Sequence, residues 1–214
     1  MDTFAHGNGI ACSGWLPQQI PGFDKNAPVF EYDVEKAKAL LAEAGVSDLK
    51  LTGKVRKASE KLLVAVQDYW QKVGITLDVQ VEDNAVWNQD WAGGNLQVTT
   101  LGWYALFADG SQHLDTYFSS KNAAKKSSFY NNADFDAYLE DARKETDKDK
   151  RAEDYKAADN LLTRTDYATL PLFWPKNSFV AKDYVKGAKV GNLIYHFFDL
   201  DIDASSADYK APED

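Results

Sequence analysis

The chain has 214 residues and a formal net charge of -9, with 44% hydrophobic residues, and its sequence pI is near 4.8. That is enough apolar material for one substantial core, and acids and bases are interleaved, which argues against a nucleic-acid surface and against attraction to anionic lipid. No run approaches the roughly 18 apolar residues of a membrane span, and the opening "MDTFAHGNGIACSGW" lacks a basic start followed by an apolar core, so no signal segment is expected in this chain.

Residues 1–30 are rich in Gly and Pro, with Pro17, Pro21, Gly22 and Pro28 predicting turns and extended backbone rather than helix. Cys12 stands alone, which excludes an internal disulfide, and its setting "GIACS" is only a faint echo of a lipoprotein cleavage site because Ala5 to Gly9 offer a membrane nothing to hold. From Asp33, a candidate N-cap, Ala37, Leu40, Leu41 and Ala44 recur at helical spacing until Gly45 ends the helix. Leu49, Leu51 and Val55 predict a strand, and Leu62, Leu63, Val66, Tyr69, Trp70 and Val73 predict a second helix closed by Gly74. Ile75, Leu77, Val79 and Val81 alternate with Thr76, Asp78, Gln80 and Glu82, a period of two that predicts a strand packed on one face.

Strand, helix and strand in that order predict a parallel pair with a right-handed crossover, and ligands of such sheets gather beyond the carboxyl ends of the strands. A short helical turn is expected near Ala85 to Trp91, the pair Gly93-Gly94 breaks it, and Leu96 to Leu101 reads as another strand. Helices carrying Phe135, Tyr138, Leu139 and Ala142, and then Tyr155, Ala158, Leu161 and Leu162, follow. Leu170 to Trp174, Phe179 to Ala181 and Leu193 to Leu200 are candidate strands, and the acidic tail "DASSADYKAPED" is expected to fray.

Motifs for chemistry are scarce. His6, His113 and His196 lie at no metal-ligand spacing from one another or from Cys12. No G-x-S-x-G, G-x-x-x-x-G-K-[ST] or G-x-G-x-x-G occurs, which removes common routes to a hydrolase, a nucleotide site or a dinucleotide site. Asp199, Asp201 and Asp203 imitate the start of a calcium loop, but Ala204 and Lys210 stand where Gly and Glu belong. No cofactor and no metal is expected. Aromatic residues are the richer signal, with six Trp, eleven Tyr and eleven Phe as material for a core or for a binding surface. Trp87 and Trp91 share a helix face, and "TTLGWYALFADG" carries Trp103, Tyr104, Leu106 and Phe107 off a strand end before Asp109, apolar residues where a loop should turn polar.

The ordered motifs "FEYDVEKAKALLAEAGV", "AVQDYWQKVGITLDVQ", "LGWYALFADG", "FYNNADFDAYLEDAR" and "LPLFWPKNSFVAKDYVKG" resemble family 5 extracellular solute-binding proteins, the oligopeptide, dipeptide and nickel-type receptors of ABC importers. The resemblance runs from about Phe4 to Phe198. It implies an α/β, type II periplasmic-binding-protein lobe with a mixed, mainly parallel sheet flanked by helices, and it implies a binding protein without catalysis. The chain would be the C-terminal lobe, divided as a lobe-edge segment 1–30, a ligand-binding α/β body 31–192, and a return strand with acidic tail 193–214.

Its implied partners are a small-molecule ligand, the missing N-terminal lobe and, in the intact receptor, an ABC permease. Its implied place is the periplasm or the extracellular face, in many members through a lipid anchor. Alone, the lobe is expected to bind ligand weakly and to expose apolar residues, with "LIYHFFDL" the foremost candidate.

Many peptide receptors that this chain resembles read Trp, two residues, Asp, two residues, Asp-Pro, and the first of those acids pairs with the ligand's amino group. Counted from Trp103, the first acid's place holds Leu106, the second is Asp109, and the proline's place holds Gly110. A further departure, Val34 for a helix-starting Pro, is structurally mild. An apolar loop beside indoles suits an uncharged ligand that stacks on aromatic faces, so the expected ligand is a neutral oligosaccharide or similar solute. The expected site is Trp103, Tyr104, Leu106, Phe107 and Asp109 with Trp87 and Trp91. The alternatives are a peptide or another small ligand in the same family, and outside it a glycosidase-type enzyme or a stand-alone interaction domain.

Overall fold

Period-two alternation followed by helical spacing should fold the chain's first half as a parallel β-α-β unit, and the computed structural model contains it. Residues 7, 9–123, 126, 128–176, 180–188 and 200–210 are described. In chain order the elements are β1 (Gly9–Ala11), α1 (Val34–Glu43), β2 (Lys50–Arg56), α2 (Glu60–Gln71), β3 (Thr76–Glu82), α3 (Asn84–Gly93), α4 (Gly110–Phe118), α5 (Ser120–Ala123), α6 (Ala133–Lys144), α7 (Lys148–Asn160), β4 (Phe173–Pro175), β5 (Val185–Lys186) and β6 (Asp201–Ile202). Asp33 caps α1 as expected, its carboxylate accepting from the Lys36 N–H at 2.9 Å, and Gly45 follows the helix end at φ +67°.

β2 and β3 pair in parallel from Lys50↔Thr76 to Arg56↔Glu82. Val55, Leu63 and Leu77 form the buried core between this pair and α2, flanked by Leu51, Val66, Trp70, Val79 and Val98. Gly53 permits the close approach of α2, because a Cβ there would lie 2.7 Å from Leu63 Cδ2.

The strand expected at Leu96 to Leu101 is reduced to one parallel bridge, Gly53↔Val98, in which the Lys54 N–H donates to Val98 O and the Val98 N–H to Thr52 O. The reason is competition for the next acceptor. Lys54 O takes the Thr99 hydroxyl at 2.8 Å and the Trp87 indole N–H at 3.3 Å, so side chains occupy the carbonyl that would have continued the ladder.

The second core lies among α4, α6 and α7. Leu114, Tyr117, Phe118, Phe135, Leu139, Ala142, Tyr155, Ala158 and Leu162 are buried together with Leu16 and Ile20 from the Gly/Pro-rich segment. That segment contributes to the core, and α4 is an element the sequence reading did not predict. Among the described residues the mixed, mainly parallel sheet expected from sequence takes the form of a parallel pair with its Val98 bridge and two short antiparallel pairs, β1 with β4 and β5 with β6. With two or three residues each, β1, β4, β5 and β6 are too short to carry a shared ladder. Of the other expected strands, Phe179 and Leu193 to Phe198 lie outside the described residues, as does Asp199. Among the described residues no helix is long and apolar enough to cross a membrane.

One buried carboxylate ties the two halves of this core together. Asp159 accepts the N–H groups of Trp15 at 2.8 Å and Leu16 at 3.1 Å, while Arg164, in the π-helical turn Leu161–Thr165, donates to Ser13 O and Pro28 O. Burial outweighs those N–H bonds and lifts the Asp159 carboxyl from 3.8 to about 6. The folded state therefore holds this proton more tightly than the unfolded chain does. Stability should fall as pH rises from about 4 to about 6 and level off above that, by roughly 2–3 kcal/mol from this group. Urea unfolding across pH 4 to 7 should show that slope in the wild type and lose it in Asp159→Asn.

Candidate ligand-binding site

The seven residues expected at the site divide into a buried group and an exposed one. Trp87 is 1% exposed, and its indole N–H reaches Lys54 O and Thr99 Oγ1. Trp91 lies 5.2 Å from Trp87 between ring centroids and stacks on Tyr117 at 6.1 Å, and its N–H donates to Lys126 O. Trp103 meets Tyr117 edge-on at 4.9 Å and donates its N–H to Gln112 O at 2.7 Å. The indoles thus form an aromatic ladder joining the parallel unit to the helical core, each fixed to a backbone carbonyl. Trp87 and Trp91 are packing residues in this geometry, and Trp103 is half-buried at the ladder's end.

Beyond Trp103 the loop opens to solvent. Tyr104 is 67% exposed, Leu106 82% and Phe107 52%, while Ala105 between them is buried. Asp109 then faces inward. It caps α4 by accepting from the Ser111 N–H at 3.0 Å, and it also accepts from the Ser111 hydroxyl, from Arg151 Nη2 at 2.8 Å and from the Tyr155 hydroxyl at 2.8 Å. Burial works against the charge, but these donors prevail and hold the Asp109 carboxyl below its ordinary value. Gly110, in the place of the motif's proline, has a local cause: a Cβ there would sit 2.5 Å from Tyr155 Cγ.

One residue of this face escaped the sequence reading. Arg56 ends β2, at the carboxyl edge of the parallel unit, with its guanidinium 4.5 Å from the centroid of the Trp87 ring. Its register partner Glu82 is turned to Lys54 at 3.1 Å, and Lys54 also binds Asp90. Among the described residues Arg56 therefore has an aromatic partner and no ion pair. The order β3, β2, Val98 reverses at β2, which is where open α/β sheets leave a crevice for ligands. A lone arginine closing a predicted strand of a β-α-β unit was the signal available in the sequence. Among the described residues no group of His, Cys, Asp and Glu could hold a metal ion.

Residues 1–125 match the family model described as bacterial extracellular solute-binding proteins, family 5 Middle. The chain belongs to this family. Family 5 proteins are extracellular binding proteins rather than enzymes. The oligopeptide-binding protein OppA of Bacillus subtilis is 28% identical over 187 residues, covering 80% of this chain and 34% of its own length. The probable D,D-dipeptide-binding periplasmic protein DdpA of Escherichia coli is 26% identical over 199 residues, covering 91% of this chain and 38% of its own length. The chain thus spans little more than a third of these relatives.

In three dimensions it is similar to the Helicobacter pylori periplasmic binding protein DppA solved in complex with the peptide STSA, with a TM-score of 0.81 and 25% identity over 94% of this chain and 40% of that one. The family 5 chain therefore has the type II periplasmic-binding-protein fold expected from its sequence.

Proposed function

We propose that this family 5 chain is the C-terminal lobe of the substrate-binding component of an ABC importer, and that the receptor takes a peptide. The observation carrying this reading is Arg56, a half-buried guanidinium at the carboxyl edge of the parallel strands, seated on Trp87 and without an ionic partner among the described residues. A guanidinium so placed suits a carboxylate, such as a peptide's C-terminus. The relatives named above carry peptide ligands in their names, which supports the same class.

The neutral oligosaccharide expected from sequence has less physical support, because Trp87 is buried and the half-buried Trp91 packs its ring against Trp87 and Tyr117. Leu106 keeps its meaning in the peptide reading. With an alkyl side chain in place of a carboxylate, this position does not read the ligand's amino group.

The test is calorimetry on the two-lobed receptor with tri-alanine, its N-acetyl form and maltotriose. Tri-alanine and the acetylated peptide should bind within a few-fold of each other, and maltotriose should not bind. Saturable binding of maltotriose with no response to either peptide would replace the reading by the oligosaccharide one. Rejection of the acetylated peptide alone would show that another acid takes the amine.

A further inference from the structure

The exposed loop 104–108 carries Tyr104, Leu106 and Phe107 into solvent, although apolar side chains of that size gain by folding back onto neighbouring apolar surface. The geometry points to what holds it out. Its upstream end is fixed by the Trp103 indole, which donates to Gln112 O at 2.7 Å and packs edge-on against Tyr117. Its middle is pinned by Ala105, 5% exposed. Its downstream end is Asp109, whose N–H donates to Phe107 O at 2.9 Å and whose carboxylate is held from the far side by α7.

Arg151 and Tyr155 are one turn apart on α7. Arg151 places Nε at 3.2 Å and Nη2 at 2.8 Å from Asp109 Oδ2, and the Tyr155 hydroxyl lies 2.8 Å from Oδ1. Arg151 is itself fixed, since its Nη1 donates to Ala142 O on α6 and its guanidinium lies 5.2 Å from the centroid of the Tyr155 ring. The Tyr155 ring fills the space that a Cβ on residue 110 would need, so Asp109-Gly110 and Tyr155 fit as one piece.

We infer that Arg151 and Tyr155 are positioning residues for the loop 104–108: acting through Asp109, they present Tyr104, Leu106 and Phe107 to the ligand in a preformed arrangement. The ligand-facing part of this inference rests on the function proposed above. Preformed loops bind with less ordering cost than loops that must be fixed on binding. The arrangement also makes the binding face sensitive to residues on a helix that does not carry it.

The test is backbone 15N relaxation on this chain and three variants, read together with the indole 15N–1H resonance of Trp103. In the wild type the amides of 104–108 should have order parameters close to the roughly 0.85 of rigid backbone. In Arg151→Ala they should fall below about 0.6 in the loop alone, with the Trp103 indole resonance shifted, while β2, β3 and α6 keep their values. Arg151→Lys, which keeps a charged donor, should recover part of the loss. Tyr155→Phe removes one hydroxyl and keeps the ring under Gly110, so it should fold normally and show a smaller fall at the same residues.

A loop already mobile in the wild type, order parameters unchanged across the variants, or an equal fall throughout the chain would each overturn the inference. None of these readouts needs a ligand. A receptor that fails to bind peptide therefore sinks the proposed function and leaves the clamp standing, whereas an indifferent loop sinks the clamp alone.

Discussion

Trp87→Ala should cost this chain about 3–5 kcal/mol of folding free energy, the range for emptying a buried aromatic site, and domains of this kind hold only about 5–15 in total. The loss has three parts. Trp87 is 1% exposed, so its removal leaves a cavity between α3 and the sheet. Lys54 O and Thr99 Oγ1 lose the indole N–H, and Trp91 and Arg56 lose the ring they pack on. Urea unfolding followed by far-ultraviolet circular dichroism should show the midpoint collapse. Tyr104→Ala, at a side chain 67% exposed, should move it by about 0.5 kcal/mol or less. A Trp87→Ala protein of near-normal stability that bound ligand poorly would mean that this indole faces the cleft after all.

Arg56→Ala should leave the fold nearly intact and remove most of the receptor's affinity for a peptide with a free C-terminus. No ion pair of Arg56 among the described residues is broken, so the stability loss is confined to its contact with the Trp87 ring, about 0.5–2 kcal/mol. Losing one partner of a desolvated charge pair in the bound complex is larger, about 2–5 kcal/mol, or roughly thirtyfold and upward in the dissociation constant. Calorimetry with tri-alanine and tri-alanine amide should locate that loss in the carboxylate: the wild-type receptor should prefer the acid strongly, and the variant should bind both alike. If the variant still prefers the acid, the carboxylate is held elsewhere.

The parallel unit was legible in the chain because its cause is local. Alternation at Leu77, Val79 and Val81, helical spacing from Leu63 to Trp70, the Asp33 cap and the Gly45 stop each depend on a few neighbouring residues, and each appears where its spacing puts it. Helix α4 was missed although its buried positions, Gly110, His113, Leu114, Tyr117 and Phe118, fall at helical spacing, because the first two carry no apolar side chain and the inward turn of its N-cap Asp109 depends on Arg151 and Tyr155, more than forty positions away. Strand formation past Val98 failed for a similar reason: the acceptor it needed was taken by Trp87 and Thr99.

By itself the sequence determined the family, the β-α-β order and the apolar character of the loop after Trp103, because residue types and their spacing are written in the chain. Only the tertiary structure decided which aromatics face solvent, that Asp109 turns inward to α7, and that Arg56 stands without an ionic partner among the described residues. Exposure and pairing depend on which distant side chain arrives first at a carbonyl, a carboxylate or a ring face, and sequence spacing does not encode that competition.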